Sequence, residues 1–201
     1  MTVLLVHSHY GPTPVQYEPA IAAGRILSVR EVALTDAHFD AATGLITTTH
    51  LDQIAFQARR PALTRLLDRG GRWFFNGHML RVFVEGLGLY QPIGSARRPD
   101  YVLTRLNPHA IFDGIEQRGL EENRGVAGFY GRGHNPLPAG GLAVNGIGPA
   151  RLPIDWDWPR PAGGRIFSHA GNDLGGMGGE GGPGALLTER ILDWCEGRIG
   201  S

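Results

Sequence analysis

Four short apolar runs in this 201-residue chain each break off at a polar cluster carrying histidine, and no other feature limits the fold as strongly. Val3-Leu-Leu-Val6 runs into His7-Ser8-His9, and Leu45-Ile-Thr-Thr-Thr49 ends on His50. Arg72-Trp-Phe-Phe-Asn76 turns through Gly77 to His78, and Gly164-Arg-Ile-Phe-Ser168 ends on His169. Short continuous apolar runs suit strands covered on both faces, the situation of a parallel sheet. Further strands are expected at 26–34, 101–106 and 141–147.

Helices separate several of these runs. The clearest is expected from Ile54 onward, where Ile54, Ala58, Ala62 and Leu66 recur every four residues and Gly70-Gly71 supplies a stop. Shorter helices are expected over 17–24 and 79–87. A closing helix presents Leu187, Ile191, Trp194 and Cys195 on one stripe. Asn107 to Gly114 reads as a turn leading into one helical turn, and residues 117–163 as mostly irregular, with a Pro- and Trp-rich piece from Pro153 to Pro161. Strands alternating with helices predict an α/β sandwich with a mostly parallel sheet, and the length fits a single domain over 1–201.

Composition removes whole classes of chemistry. All 19 basic residues are Arg, so Schiff-base chemistry and a P-loop lysine are excluded. They balance 19 acidic residues to a formal charge of zero, which leaves no electrostatic case for nucleic acid or an anionic membrane surface. The single cysteine, Cys195, cannot form an intrachain disulfide and reads as a buried structural thiol. The N-terminal apolar run is too short for a signal peptide or a membrane span, so the expected location is the cytoplasm.

Open parallel sheets bind ligands beyond the carboxyl ends of their strands. If the four runs are parallel, His7, His9, His50, His78 and His169 share one rim, and a cluster of titratable groups is a stronger candidate than any lone residue. His78 and His169 are read as a catalytic pair. Asp173 and Asn172 would orient His169 or the substrate, while Asn76, Tyr130, Arg132 and His134 would bind polar groups. His50 is read as structural, and His38 and His109 as surface residues. His7-x-His9 has a spacing used by some zinc hydrolases, so zinc stays open although no cofactor is required. Asp155 and Asp157 alternate with Trp156 and Trp158, which either hold a sugar ring or are buried structural tryptophans. The glycine-rich stretch from Gly171 to Gly184 is either a flexible linker or a loop wrapping a ligand.

The Gly-Gly-strand-His78 corner, the segment Asn107-Pro-His-Ala-Ile-Phe-Asp-Gly114, the Pro153-Ile-Asp-Trp156 piece and Gly163-Gly-Arg-Ile-Phe-Ser-His-Ala-Gly171 together resemble the trehalose-utilisation (ThuA-like) branch of the class I glutamine amidotransferase-like superfamily. The resemblance implies a flavodoxin-like three-layer sandwich with its pocket at the strand ends, and a weak link to carbohydrate chemistry. Trp156, Gly164, Arg165 and His169 match the branch's last segment. The superfamily's true glutaminases carry a nucleophilic cysteine at the corner and a His-x-Glu downstream; this chain has Asn76-Gly77-His78 and no cysteine within reach, so thioester glutamine hydrolysis is not expected. Two functions remain. One is an enzyme, a hydrolase or lyase, acting on a small polar substrate by histidine acid/base chemistry, with or without zinc. The other is a non-catalytic small-molecule-binding or assembly module, and a homo-oligomer is compatible with either.

Overall fold

Leu4 and Val6 bury toward one side of the first strand while Val3 and Leu5 bury toward the other, as the two-residue period of a doubly covered strand requires. That strand is second from one edge of an eight-stranded mixed sheet with order β2-β1-β3-β4-β10-β9-β8-β6 in the computed structural model, which describes residues 2–8, 13–121, 126, 128–177 and 182–200. The strands are β1 (Val3–His7), β2 (Ile26–Arg30), β3 (Gly44–Thr47), β4 (Arg72–Asn76), β5 (Gln91–Pro92), β6 (Leu103–Arg105), β7 (Gly133–His134), β8 (Leu142–Ile147), β9 (Leu152–Pro159) and β10 (Arg165–His169). β2, β1, β3, β4 and β10 are parallel to one another, and β9, β8 and β6 extend the sheet beyond β10 in antiparallel pairs. β5 and β7 form a separate small ribbon.

Helices α1 (Glu18–Ala22), α2 (Asp36–Ala41), α3 (Gln53–Phe56), α4 (Arg60–Asp68), α5 (Gln117–Glu121) and α6 (Gly184–Cys195) complete a three-layer α/β sandwich. On one face Leu4, Trp73, Phe75 and Ile166 pack with Phe39 of α2, Phe56 of α3 and Leu63, Leu66 and Leu67 of α4. On the other, Leu5, Ile46, Phe74 and Phe167 pack with Ala20 of α1 and Leu187, Ile191 and Trp194 of α6. Phe74 and Phe167 stack at 5.0 Å across the β4–β10 pair. No helix among the described residues is long and apolar enough to cross a membrane.

Several expectations are corrected. The long helix from Ile54 is interrupted by a 3-10 turn at Gln57–Arg59, because Pro61 has no N–H to give the Gln57 carbonyl and starts a new helix instead. As a result Ile54 is 71% exposed and Gln53 and Phe56 turn inward. β2 stops at Arg30, since Leu34 N–H bonds back to the Glu31 carbonyl and closes a turn. Residues 79–87 form no helix: Leu80 and Arg81 donate their N–H groups to Gln53 Oε1, and Met79 donates to Asn135 Oδ1, so their bonds are diverted from the i→i−4 ladder. The Pro153–Pro161 piece contains the longest strand, β9; its Pro153 faces an irregular register at Asn145 and Gly146, where a missing N–H is tolerated.

Candidate functional site

The carboxyl ends of β1, β3, β4 and β10 lie side by side, and polar side chains lace them together. Asn76, at the end of β4, donates from Nδ2 to the Thr47 carbonyl of β3 (3.0 Å) and accepts at Oδ1 from the Leu174 N–H (3.0 Å). Both ends of its amide are therefore used within the fold. Gly77 follows at φ 107°, with Thr49 Cα 3.2 Å from where a Cβ would sit, so the corner admits no larger residue. Gly77 N–H donates to the His169 carbonyl (2.9 Å), fixing the β4 corner to the end of β10.

His78 leaves that corner on the outside. Its ring stacks on Tyr90 with centroids 3.7 Å apart and planes 13° from parallel, and its carbonyl accepts from Gln53 Nε2 at 2.6 Å. Partial burial, and secondarily the field of His169, hold its pKa below the ordinary value of 6.5.

His169 sits on the inside, with no exposed surface. Its Nδ1 lies 2.6 Å from Asp155 Oδ1, while Asp155 Oδ2 accepts from the Tyr130 hydroxyl (2.5 Å) and from Asn145 Nδ2 (2.6 Å). Asp155 is in register with His169 on one side and with Asn145 on the other, so the network is one row across β10, β9 and β8. Since a carboxylate only accepts, the bond to Asp155 puts a proton on Nδ1, and in the neutral imidazole Nε2 is then the acceptor. Nε2 has no hydrogen-bond partner among the described residues. The Tyr130 ring stands edge-on to the imidazole at 4.6 Å, and burial, with Asp155 beside it, drives the Tyr130 phenol well above its usual pKa of 10.0.

A strap of chain roofs this row. Gly131 and Gly171 form an antiparallel bridge, and Asn172 Nδ2 donates to the Phe129 carbonyl at 2.8 Å. A Cβ on Gly171 would lie 2.7 Å from His169 Nε2 and 1.7 Å from the Tyr130 carbonyl oxygen, so the roof reaches its position only because residue 171 has no side chain.

The expected residues divide accordingly. Tyr130 and His169 meet directly, and His78 is close enough to feel the charge of His169. Asp173 accepts from Thr49 N–H (2.8 Å) and Oγ1 (3.2 Å) rather than holding the imidazole; burial raises its pKa, which the Thr49 bonds oppose. Asn172 pins the roof, and Arg132 lies exposed with its guanidinium 5.9 Å from the Tyr101 ring. His134 is in the β5–β7 ribbon, its Nδ1 buried without a hydrogen-bond partner among the described residues and its pKa lowered by burial. His7 is buried at the end of β1, and His9 falls outside the described residues. Among the described residues no three His, Cys, Asp or Glu side chains gather as a metal site.

Asp155, which orients His169, was expected only as a carboxylate beside a sugar-holding tryptophan, and Asn145, which donates to Asp155, was not among the expected site residues. Trp156 and Trp158 are buried, donating to the carbonyls of Asn135 and Ala139, so neither offers a free face to a sugar. His109 is not on the surface: its Nε2 lies 2.9 Å from Asp157 Oδ2, which also pairs with Arg165. Cys195 is buried, and burial pushes its thiol pKa up.

No family model and no curated protein matches the chain. Its fold is similar to that of the cytoplasmic protein STM3548 from Salmonella typhimurium (TM-score 0.61, 9% identity, 97% of this chain and 99% of that one). It is also similar to the N-terminal domain of mmIFT52 (TM-score 0.57, 13% identity, 96% of each chain). A third similar structure is a ThuA-like protein from Bacteroides uniformis (TM-score 0.50, 12% identity, 96% of this chain and 90% of that one). At these identities the likeness is one of fold.

Proposed function

We propose that the chain is a flavodoxin-like, class I glutamine amidotransferase-like domain of the ThuA type, acting on a small polar, carbohydrate-derived molecule by histidine acid/base chemistry and not as a glutaminase. The five parallel strands, numbered among themselves in chain order, run 2-1-3-4-5 as in flavodoxin-like sheets, which supports the fold-level part. Against a glutaminase stands the corner itself, which bears His78, while the only thiol is buried in α6.

One observation carries the catalytic reading: His169 is held by Asp155 through Nδ1 and keeps an Nε2 with no partner among the described residues. A carboxylate-oriented imidazole with a free second nitrogen is the arrangement of a general base, worth on the order of 100- to 10,000-fold in rate. In this scheme the strap Phe129–Arg132 lifts to admit substrate, Nε2 takes a proton from the attacking group and returns it to the leaving group, and His78, outside the roof with its pKa lowered by burial, is a second proton acceptor at the entrance. Asn76 and Tyr130 support the site through the fold, and Arg132, His134 and Asn172 line its approach.

The test is a thermal-shift and turnover screen of wild type, His78→Asn and His169→Asn against monosaccharides, disaccharides including trehalose, and carboxamides. Turnover of one compound by wild type, abolished in His169→Asn with binding kept, supports the enzyme. A non-catalytic binding module on the same fold is the second reading, favoured by the zero exposure of His169; it predicts binding without turnover, unchanged in both variants. Zinc bound through His7 and His9 is a third, and metal analysis of untagged protein decides it: less than stoichiometric zinc removes it.

A further inference from the structure

At the sheet edge opposite His169, a cavity of about 280 Å³ opens beside the amino ends of β3 and β4 and the last turn of α6. Its volume lies at the lower bound of small-molecule sites, roughly 300 Å³. Arg69, Gly71, Arg72, Glu196 and Gly197 are among the residues lining it. Glu196 brings no free charge, because Arg25 grips its carboxylate through Nε (3.1 Å) and Nη2 (2.7 Å) and Arg198 Nε approaches at 3.2 Å.

The two lining arginines are different. Arg69 Nη2 donates to the carbonyls of Phe39 and Ala42, and Arg72 Nη1 donates to those of Trp194 (3.0 Å) and Ile199 (2.7 Å). Neither pairs with a carboxylate among the described residues; each is anchored on one nitrogen, and the Arg72 guanidinium also lies over the Trp194 ring at 5.4 Å, which leaves the other N–H groups of each without a partner among the described residues. For Arg72 the uncommitted side is the Nε/Nη2 edge, which grips oxyanions in a two-bond fork. Gly197 lies over the face of that guanidinium rather than before the fork: a Cβ there would be 3.9 Å from Nη2 and 4.0 Å from both Nε and Cζ, an ordinary contact. Burial and the nearby Arg165 both disfavour the charged form of Arg72, an imbalance an anion would relieve.

We infer that this cavity is a binding site for a small oxyanion, the carboxylate or phosphate group of a metabolite, held by the Nε/Nη2 edge of Arg72 and by Arg69. It lies across the sheet from the His169 row and stands or falls independently of the reading proposed for that row.

The experiment titrates sodium acetate and sodium phosphate separately into the isotopically labelled full chain at constant ionic strength set with sodium chloride, following backbone amide shifts. Saturable shifts at Gly70, Gly71 and Gly197, beyond the chloride control, are expected with one or both anions; the tighter one identifies the head group. A folded Arg69→Gln variant should bind roughly tenfold more weakly, as the loss of one charge-assisted contact predicts. The inference is overturned if neither anion gives saturable shifts at these glycines, or if Arg69→Gln binds with unchanged affinity. Because the wild-type shift map needs no variant, the first criterion holds even if Arg69→Gln does not fold.

Discussion

Replacing Gly171 with Ala tests the central geometric claim, that His169 is sealed by a strap able to dock only on a bare α-carbon. The added Cβ would meet the Tyr130 carbonyl oxygen at 1.7 Å, the Tyr130 carbonyl carbon at 2.9 Å and His169 Nε2 at 2.7 Å, all closer than real Cβ contacts. Two of these atoms are backbone, so no rotamer change relieves the clash and the strap must retreat. Overpacking of this kind costs about 1–3 kcal/mol, and losing the Gly131 bridge and the Asn172 bond to Phe129 adds about 1 kcal/mol each. Ala restricts the unfolded chain, which returns about 0.4–1 kcal/mol, so the net loss is about 2–5 kcal/mol. Equilibrium unfolding in urea measures it, with Gly94→Ala as the control: a Cβ at Gly94 meets nothing within 4 Å, so that change should leave stability unchanged or raise it by up to about 1 kcal/mol. A second readout is carbethoxylation of His169, slow in the wild type and faster once the strap is displaced. Equal urea midpoints for the two variants, or identical His169 reactivity in Gly171→Ala and wild type, would refute the reasoning.

Three further outcomes are expected. Asp155→Asn sets an amide N–H₂ either against the Tyr130 hydroxyl and the Asn145 amide, both of which donate to Asp155 Oδ2, or against His169 Nδ1 at the other oxygen's place, and should cost about 1–3 kcal/mol in urea unfolding, with Asn145→Ala partly relieving it in a double-mutant cycle. The His78 ring protons should titrate with a midpoint below 6.5 by NMR, and Tyr90→Ala, which uncovers the ring, should raise that midpoint. With the folded pKa depressed, the unfolded chain takes up the His78 proton first, so this contribution to stability is present above 6.5 and is lost as pH falls toward the folded value. Cys195 should resist a disulfide exchange reagent in the native protein and react fully in denaturing urea; rapid native reaction contradicts its burial in α6.

The parallel half of the sheet was legible because its strands are short apolar runs that end abruptly, and β4 was placed at Arg72 to Asn76 as observed. The closing helix was legible for the same kind of reason, its stripe of Leu187, Ile191, Trp194 and Cys195 all being buried. The corner after β4 was misread as helical because its apolar residues have helical spacing, and only the distant side chains of Gln53 and Asn135 decide where its N–H groups go. The site was half legible for a related reason. A strand-end histidine can be seen in the chain, but the acid that holds it is set by cross-strand register, which no local pattern displays.

That register does have a local origin in the β9–β10 turn. Gly163 and Gly164 at φ 101° and 69° let Gly163 N–H bond to the Arg160 carbonyl and Arg160 N–H to the Gly164 carbonyl. The turn so closed pairs Pro159 with Arg165, and the antiparallel ladder then brings Asp155 opposite His169. A one-residue slip would place Asp155 on the other face, exchanging the two aspartates for the tryptophans on both sides of the sheet. Those aspartates share one face: Asp155 takes His169, Tyr130 and Asn145, and Asp157 takes His109 and Arg165. Trp156 and Trp158 fill the opposite face. The polar row is thus specified by the same alternation that specifies the core, and a turn substitution that shifts register removes both together. This couples His169 to the antiparallel extension of the sheet, so its orientation depends on β9 and β8 as well as on the parallel strands that carry it.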